Sequence, residues 1–143
     1  AGFSKRLPMV FPVHPRTQKA MDEYGFQSLF EAHPGFRCVS PLPYRDNLCL
    51  MSGAAVVLTD SGGMQEETTF LKIPCLTLRD NTERPITVEM GTSRLVGNDP
   101  DKVRLGLEDV MAGRWSEGKD IPLWDGKVGD RIAEILISED MGL

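Results

Sequence analysis

The chain has 143 residues, 41% of them hydrophobic and 26% charged, an ordinary globular composition far from disordered or collagen-like chains. That length suits one domain that buries roughly two thirds of its unfolded surface. A net charge of −5 without any recurring stripe of Lys and Arg excludes a general nucleic-acid or polyanion binder, so any phosphate site must be local. No run of about eighteen apolar residues and no charged start before an apolar stretch occurs, so neither a membrane span nor a signal peptide is expected and a cytoplasmic protein is the default.

In chain order, the polar AGFSKRLP leads into MVFPVH, a short apolar run that reads as a strand, with His14 in the loop behind it. Residues 16–24 carry helix formers with Gly25 as a stop, and residues 28–32 have room for a short turn before Pro34 and Gly35. Residues 36–40 are strand-like and are closed by Pro41 and Pro43. Over residues 44–52, Tyr44, Leu48 and Met51 recur at helical spacing on one face, ended by Gly53. The strongest strand covers residues 54–59, a helix from the Gly-Gly pair runs to about Leu71, and residues 74–78 form the next strand, which together make a βαβ unit. Pro85 marks a helix start, residues 94–96 a short strand, and Asp99 with Pro100 an N-cap and first-turn pair for a helix to Met111. In a final amphipathic helix, Val128, Ile132, Ile135 and Leu136 return at spacings of three or four over residues 128–137.

Strands separated by helices, without hairpin dipeptides, predict an α/β fold: a Rossmann-like open parallel sheet with helices on both faces. Such sheets bind ligands at the carboxyl ends of their strands. The segment LTDSGGMQEETTFL lies at such an end, where Gly62 and Gly63 let the backbone turn and approach a ligand. The N–H groups of the helix start behind them have no intrahelical acceptor and suit a phosphate or diphosphate. Strand, Gly-Gly and helix also occur in α/β proteins that bind nothing there. Glu66 and Glu67 either accept hydrogen bonds from ribose hydroxyls or favour the positive helix end; the second reading fits one Glu better than two, since successive helical residues face about a hundred degrees apart. In LRDNTERP, Arg84 either holds a phosphate bidentately or joins a surface ion-pair cluster with Arg79, Asp80 and Glu83. Cys38, Cys49 and Cys75 lack CxxC or His spacing and sit in apolar stretches, so they read as reduced core residues; neither His14 nor His33 is placed to share metal or catalytic work with them. No GxxxxGK[ST] and no GxGxxG occurs, which argues against a P-loop NTPase and a nicotinamide enzyme.

LTDSGGMQEE, LRDNTERP and GTSRLVGND, in this order and at short spacings, closely resemble the C-terminal domain of the non-hydrolysing UDP-N-acetylglucosamine 2-epimerases. Weaker likeness extends through PVHP and PLPY upstream and DGKVGDRIAEIL downstream, over almost the whole chain. The resemblance implies one of two Rossmann-like domains of a glycosyltransferase-B fold, with a UDP-sugar between the domains and no cofactor. It further implies that Ser61, Gly62 and Gly63 contact the diphosphate, that Glu67 meets the ribose and that Arg84 binds substrate. Asn47 stands where the family often has an aromatic by the uracil, so stacking is lost there while an amide can still read base edges. His14 resembles a histidine that binds a second, regulatory UDP-sugar in some members; its other reading is a loop-packing residue. The family's opening His-Arg-Arg-Glu-Asn motif and acidic N-terminal domain are not in this sequence, so residues 1–143 are expected to be a single UDP-binding domain cut from a two-domain enzyme, inactive alone. Expected partners are UDP or UDP-N-acetylglucosamine, the missing domain and a second copy in a homodimer, with no nucleic acid and no membrane. The competing readings are the donor half of a UDP-sugar glycosyltransferase, a hydrolysing epimerase, and a nucleotide-binding module without chemistry.

Overall fold

A computed structural model of the chain describes residues 7–26, 28, 30, 32, 33 and 35–138. The architecture is α/β with parallel strands. These hydrogen-bond as two sheets, and the chain divides into two compact units between Cys49 and Leu50.

In the first unit, β1 (Met9–Pro12) pairs in parallel with β2 (Phe36–Val39), Met9 opposite Phe36. Helix α1 (Pro15–Glu23) follows β1. Its start is fixed by His14, whose Nδ1 accepts from Arg16 N at 3.2 Å, and by Pro15 in the first turn. Its end is fixed by Gly25 at φ +68°, with Phe26 N donating to Met21 O at 2.9 Å. Val13 and Met21 are buried, and the Phe36 ring packs on Phe30 with centroids 4.8 Å apart. The turn expected over residues 28–32 includes residues 29 and 31, which lie outside the described set. Helix α2 (Tyr44–Ser52) runs across the division. Met51 is buried on it as expected, but Tyr44, in its first turn, is 64% exposed and drops out of the apolar face.

In the second unit, β3 (Val57–Thr59), β4 (Cys75–Thr77) and β5 (Ser93–Leu95) form a parallel sheet in that order. Helix α3 (Gly62–Phe70) links β3 to β4, and α4 (Pro85–Glu89) links β4 to β5; α5 (Pro100–Met111) and α6 (Val128–Ser138) complete the chain order. Helices cover both faces of the central strand. Adjacent strand residues point to opposite sides, and Cys75 meets Thr68 of α3 while Leu76 meets Gly106 of α5. A Cβ at Gly106 would come within 2.5 Å of Leu76 Cδ2, so this glycine is what lets α5 approach the sheet. Burial pushes the Cys75 thiol up, against hydrogen bonding from Thr68, Ser93 and Thr77, and the residue is the core hydrophobe expected.

Cys38 and Cys49 correct the same expectation, because both are exposed. On α2, Cys49 lies two residues from buried Met51 and so turns to the opposite side of the helix; among the described residues β2 hydrogen-bonds as a strand to β1 alone, and Cys38 on it is exposed. Helix α5 starts as the sequence indicates, with Asp99 accepting from Asp101 N at 2.9 Å and Lys102 N at 3.2 Å. Helix α6 also forms, yet Val128, Ile132, Ile135 and Leu136 remain 51–61% exposed.

Candidate nucleotide-phosphate site

The turn after β3 is held by side chains of its own segment. Thr59 Oγ1, buried at the strand end, accepts from Ser61 N at 3.1 Å, which swings the chain into α3. Ser61 is the N-cap, its Oγ accepting from Met64 N at 3.4 Å. The N–H groups of Gly62 and Gly63, at the first two helical positions, have no acceptor among the described residues. Neither glycine is demanded by the backbone. Both have ordinary helical conformations, and a Cβ at Gly62 would meet nothing closer than Arg84 Cγ at 3.6 Å, one at Gly63 nothing closer than Ser61 Oγ at 3.9 Å. The turn therefore presents two bare N–H donors on a surface without side chains, beside the Arg84 guanidinium.

Arg84 precedes α4, where Pro85 supplies the first helical residue. Its Nε lies 2.8 Å from Glu66 Oε1, in a direction too oblique for a hydrogen bond, and Nη1 donates to Glu83 O at 3.2 Å. The pair is more than 40% exposed on both sides, so it contributes on the order of 0–1 kcal/mol and yields readily to a stronger anion. The ion-pair cluster of Arg79, Asp80, Glu83 and Arg84 does not form; Arg84 reaches across to α3 instead. Glu67, half-buried one residue on, makes no side-chain hydrogen bond or ion pair among the described residues.

Gln65, Thr82 and Thr87 were not singled out by motif, and they join the two loops. Gln65 is fully buried; its Nε2 donates to Ser61 O at 3.3 Å, and its Oε1 accepts from Thr82 Oγ1 at 2.8 Å and Thr87 Oγ1 at 3.5 Å. Thr82 Oγ1 accepts from Arg84 N at 3.0 Å, and Thr87 Oγ1 donates to Arg84 O at 2.7 Å. The cue in the sequence is the buried side of α3, Gln65, Thr68 and Thr69, which has core spacing but polar side chains.

Ser61, Gly62, Gly63, Glu67 and Arg84 all belong to the second unit, and His14 and Asn47 to the first. His14 serves as the N-cap of α1, and Asn47 is half-buried in the first turn of α2, its N–H donating to Pro43 O at 3.0 Å. Among the described residues no three His, Cys, Asp or Glu side chains converge as metal ligands.

A family model described as UDP-N-acetylglucosamine 2-epimerase matches residues 1–137. The chain belongs to that family. It is 41% identical over 128 residues to the UDP-N-acetylglucosamine 2-epimerase of Methanocaldococcus jannaschii, which covers 90% of this chain and 34% of the relative. A crystal structure of the Methanocaldococcus jannaschii epimerase in complex with UDP-GlcNAc and UDP aligns over 90% of this chain and 35% of its own, with 39% identity and a TM-score of 0.74. The epimerase from Neisseria meningitidis bound to UDP-GlcNAc aligns over the same shares with 30% identity and a TM-score of 0.72. The family also reaches a UDP-2,3-diacetamido-2,3-dideoxy-D-glucuronate 2-epimerase of Pseudomonas aeruginosa, 34% identical over 134 residues, 90% of this chain and 34% of that one. The chain thus spans about a third of the length of the epimerases it matches, and its α/β architecture is that of epimerases with a glycosyltransferase-B fold.

Proposed function

We propose that this chain is the UDP-binding part of a UDP-N-acetylglucosamine 2-epimerase, an isomerase that interconverts UDP-GlcNAc and UDP-ManNAc by eliminating UDP and adding it back. The observation that carries the reading is the Gly62-Gly63 turn. Its glycines answer no need of the fold, its two N–H groups are open, and Arg84 lies alongside. That combination suits a diphosphate brought close to the backbone. In this reading Ser61, Gly62 and Gly63 hold the diphosphate, Glu67 accepts from the ribose hydroxyls, and Arg84 leaves Glu66 to meet the phosphates.

These donors act on the leaving group. As the anomeric C–O bond breaks, charge grows on the departing diphosphate, and each well-aimed donor lowers the barrier by about 3 kcal/mol. Proton transfer at C2 is the work of acids elsewhere in the longer enzyme. The family resemblance alone carries Asn47 as a uracil contact and His14 as a contact to a second UDP-sugar. With the same reading go residues 1–143 as one UDP-binding domain, a homodimer, a cytoplasmic location and a supply of nucleotide sugar for cell-envelope polysaccharide.

Calorimetric titration with UDP tests the assignment. Binding is expected for the parent chain, with a loss of tenfold or more in Glu67→Ala and in Arg84→Ala, each side chain making charge-assisted bonds of about 1.5–3 kcal/mol. Parent-like affinity in both variants would move the nucleotide off this turn.

A further inference from the structure

Among the described residues, Gln65 is the one wholly buried side chain whose bonds reach both the Gly-Gly turn and the loop that carries Arg84. Its amide donates to Ser61 O at 3.3 Å on one side and accepts from Thr82 Oγ1 at 2.8 Å on the other, and Thr82 Oγ1 in turn receives Arg84 N at 3.0 Å. A buried glutamine at a helix position that would accept Leu or Met is costly unless every polar atom is used. Here the use is to tie two loops whose donors must converge. Thr87, the second hydroxyl on Gln65 Oε1, keeps a shorter bond to Arg84 O at 2.7 Å, so the Thr82 bond is the one with no substitute.

We infer that Gln65 is a positioning residue for the diphosphate: through Thr82 it holds Arg84 at the distance from the Ser61–Gly63 turn at which one diphosphate is gripped from both sides. This rests on the UDP reading above. A residue that acts by placing Arg84 has a thermodynamic signature, since its removal has little left to undo once Arg84 is gone.

The test is a double-variant cycle read by UDP titration of the chain. Gln65→Leu is expected to weaken UDP about tenfold, within the range of ordinary coupling between sites, and Gln65→Leu with Arg84→Ala to lose little more than Arg84→Ala alone. Losses that multiply in the double variant overturn the inference. Thr82→Val, which leaves Gln65 in place, is expected to weaken UDP by a similar factor while Thr82→Ser restores the parent affinity. If Gln65→Leu does not fold, this pair decides: equal affinities of the Val and Ser variants overturn the inference. A parent chain without UDP binding sinks the UDP reading instead. The tie is then read without ligand, by amide exchange in Thr82→Val. Faster exchange at Met64 and Gln65, across the tie from the altered side chain, supports it, and a change confined to residues 82–84 overturns it.

Discussion

At the scale of single residues, the two glycines of the turn are separable from the fold. Each sits in the first helical turn with room for a methyl group, and alanine there reduces the freedom of the unfolded chain. Gly62→Ala and Gly63→Ala are therefore expected to keep or raise stability, by about 0.4–1 kcal/mol each, while UDP affinity falls tenfold or more. Thermal melting and UDP titration of the same samples check both halves; parent-like binding would remove the reason for a bare backbone. A different residue sets a pH dependence. Asp109 of α5 accepts from Arg94 Nη1 at 2.7 Å and from Arg114 Nη2 at 2.9 Å, and these two guanidinium groups hold its carboxyl below the usual carboxylate range. The folded value lies below the unfolded one of about 4, so the pair stabilises the protein above that pH and the contribution is lost as pH falls through the depressed value. Asp109→Asn is expected to lower the melting temperature at neutral pH, with the gap to the parent closing on acidification; a gap independent of pH would contradict it. The capping role of Asp99 was legible because a cap involves only residues within one turn; that of Ser61 emerged with the structure. The role of Arg84 was half legible: its chemistry could be read, its partner could not, since Glu66 lies on another element.

At the scale of elements, helix starts follow local chemistry. Pro85, Pro100 and the caps Ser61 and Asp99 fix α3, α4 and α5 where the sequence indicates. Strand lengths do not follow in the same way. Residues 54–59 read as one strand, yet only Val57–Thr59 enters the ladder, because pairing requires a neighbour at matching register. Contact between elements also has a size limit that no periodicity displays. Gly106 on α5 faces Leu76 of β4 so closely that an added side chain must displace one of them. Gly106→Val is expected to destabilise the protein by about 1–3 kcal/mol through overpacking, despite removing a helix-interior glycine. Denaturant titration checks this, and unchanged stability would show that α5 is free to move off the sheet. The buried polar stripe of α3 belongs here too. Gln65, Thr68 and Thr69 occupy core positions because their hydrogen-bond partners lie on the helix itself, on the α4 loop and after α4.

At the scale of the whole molecule, the chain covers about a third of its relatives, and in the proposed reading the donors of its turn address a leaving group rather than a C–H bond. The 143-residue chain alone is expected to show no turnover of UDP-GlcNAc to the manno epimer by chromatography, even where it binds UDP; measurable turnover would place the proton-transfer groups within it. By itself the sequence determined the α/β class, the order of its helices and the family, and it singled out the Gly-Gly turn on which the UDP proposal rests. These are written in local patterns, in glycines, caps and apolar runs that act within one or two turns of chain. Only the tertiary structure decided that Arg84 pairs with Glu66, that Gln65 ties the turn to the arginine loop, that Gly106 is a packing glycine and Gly62 is not, and that Cys38 and Cys49 face outward. Each of these is a distance or an exposure set by residues brought together from separate elements, and linear spacing carries no record of which element will lie opposite.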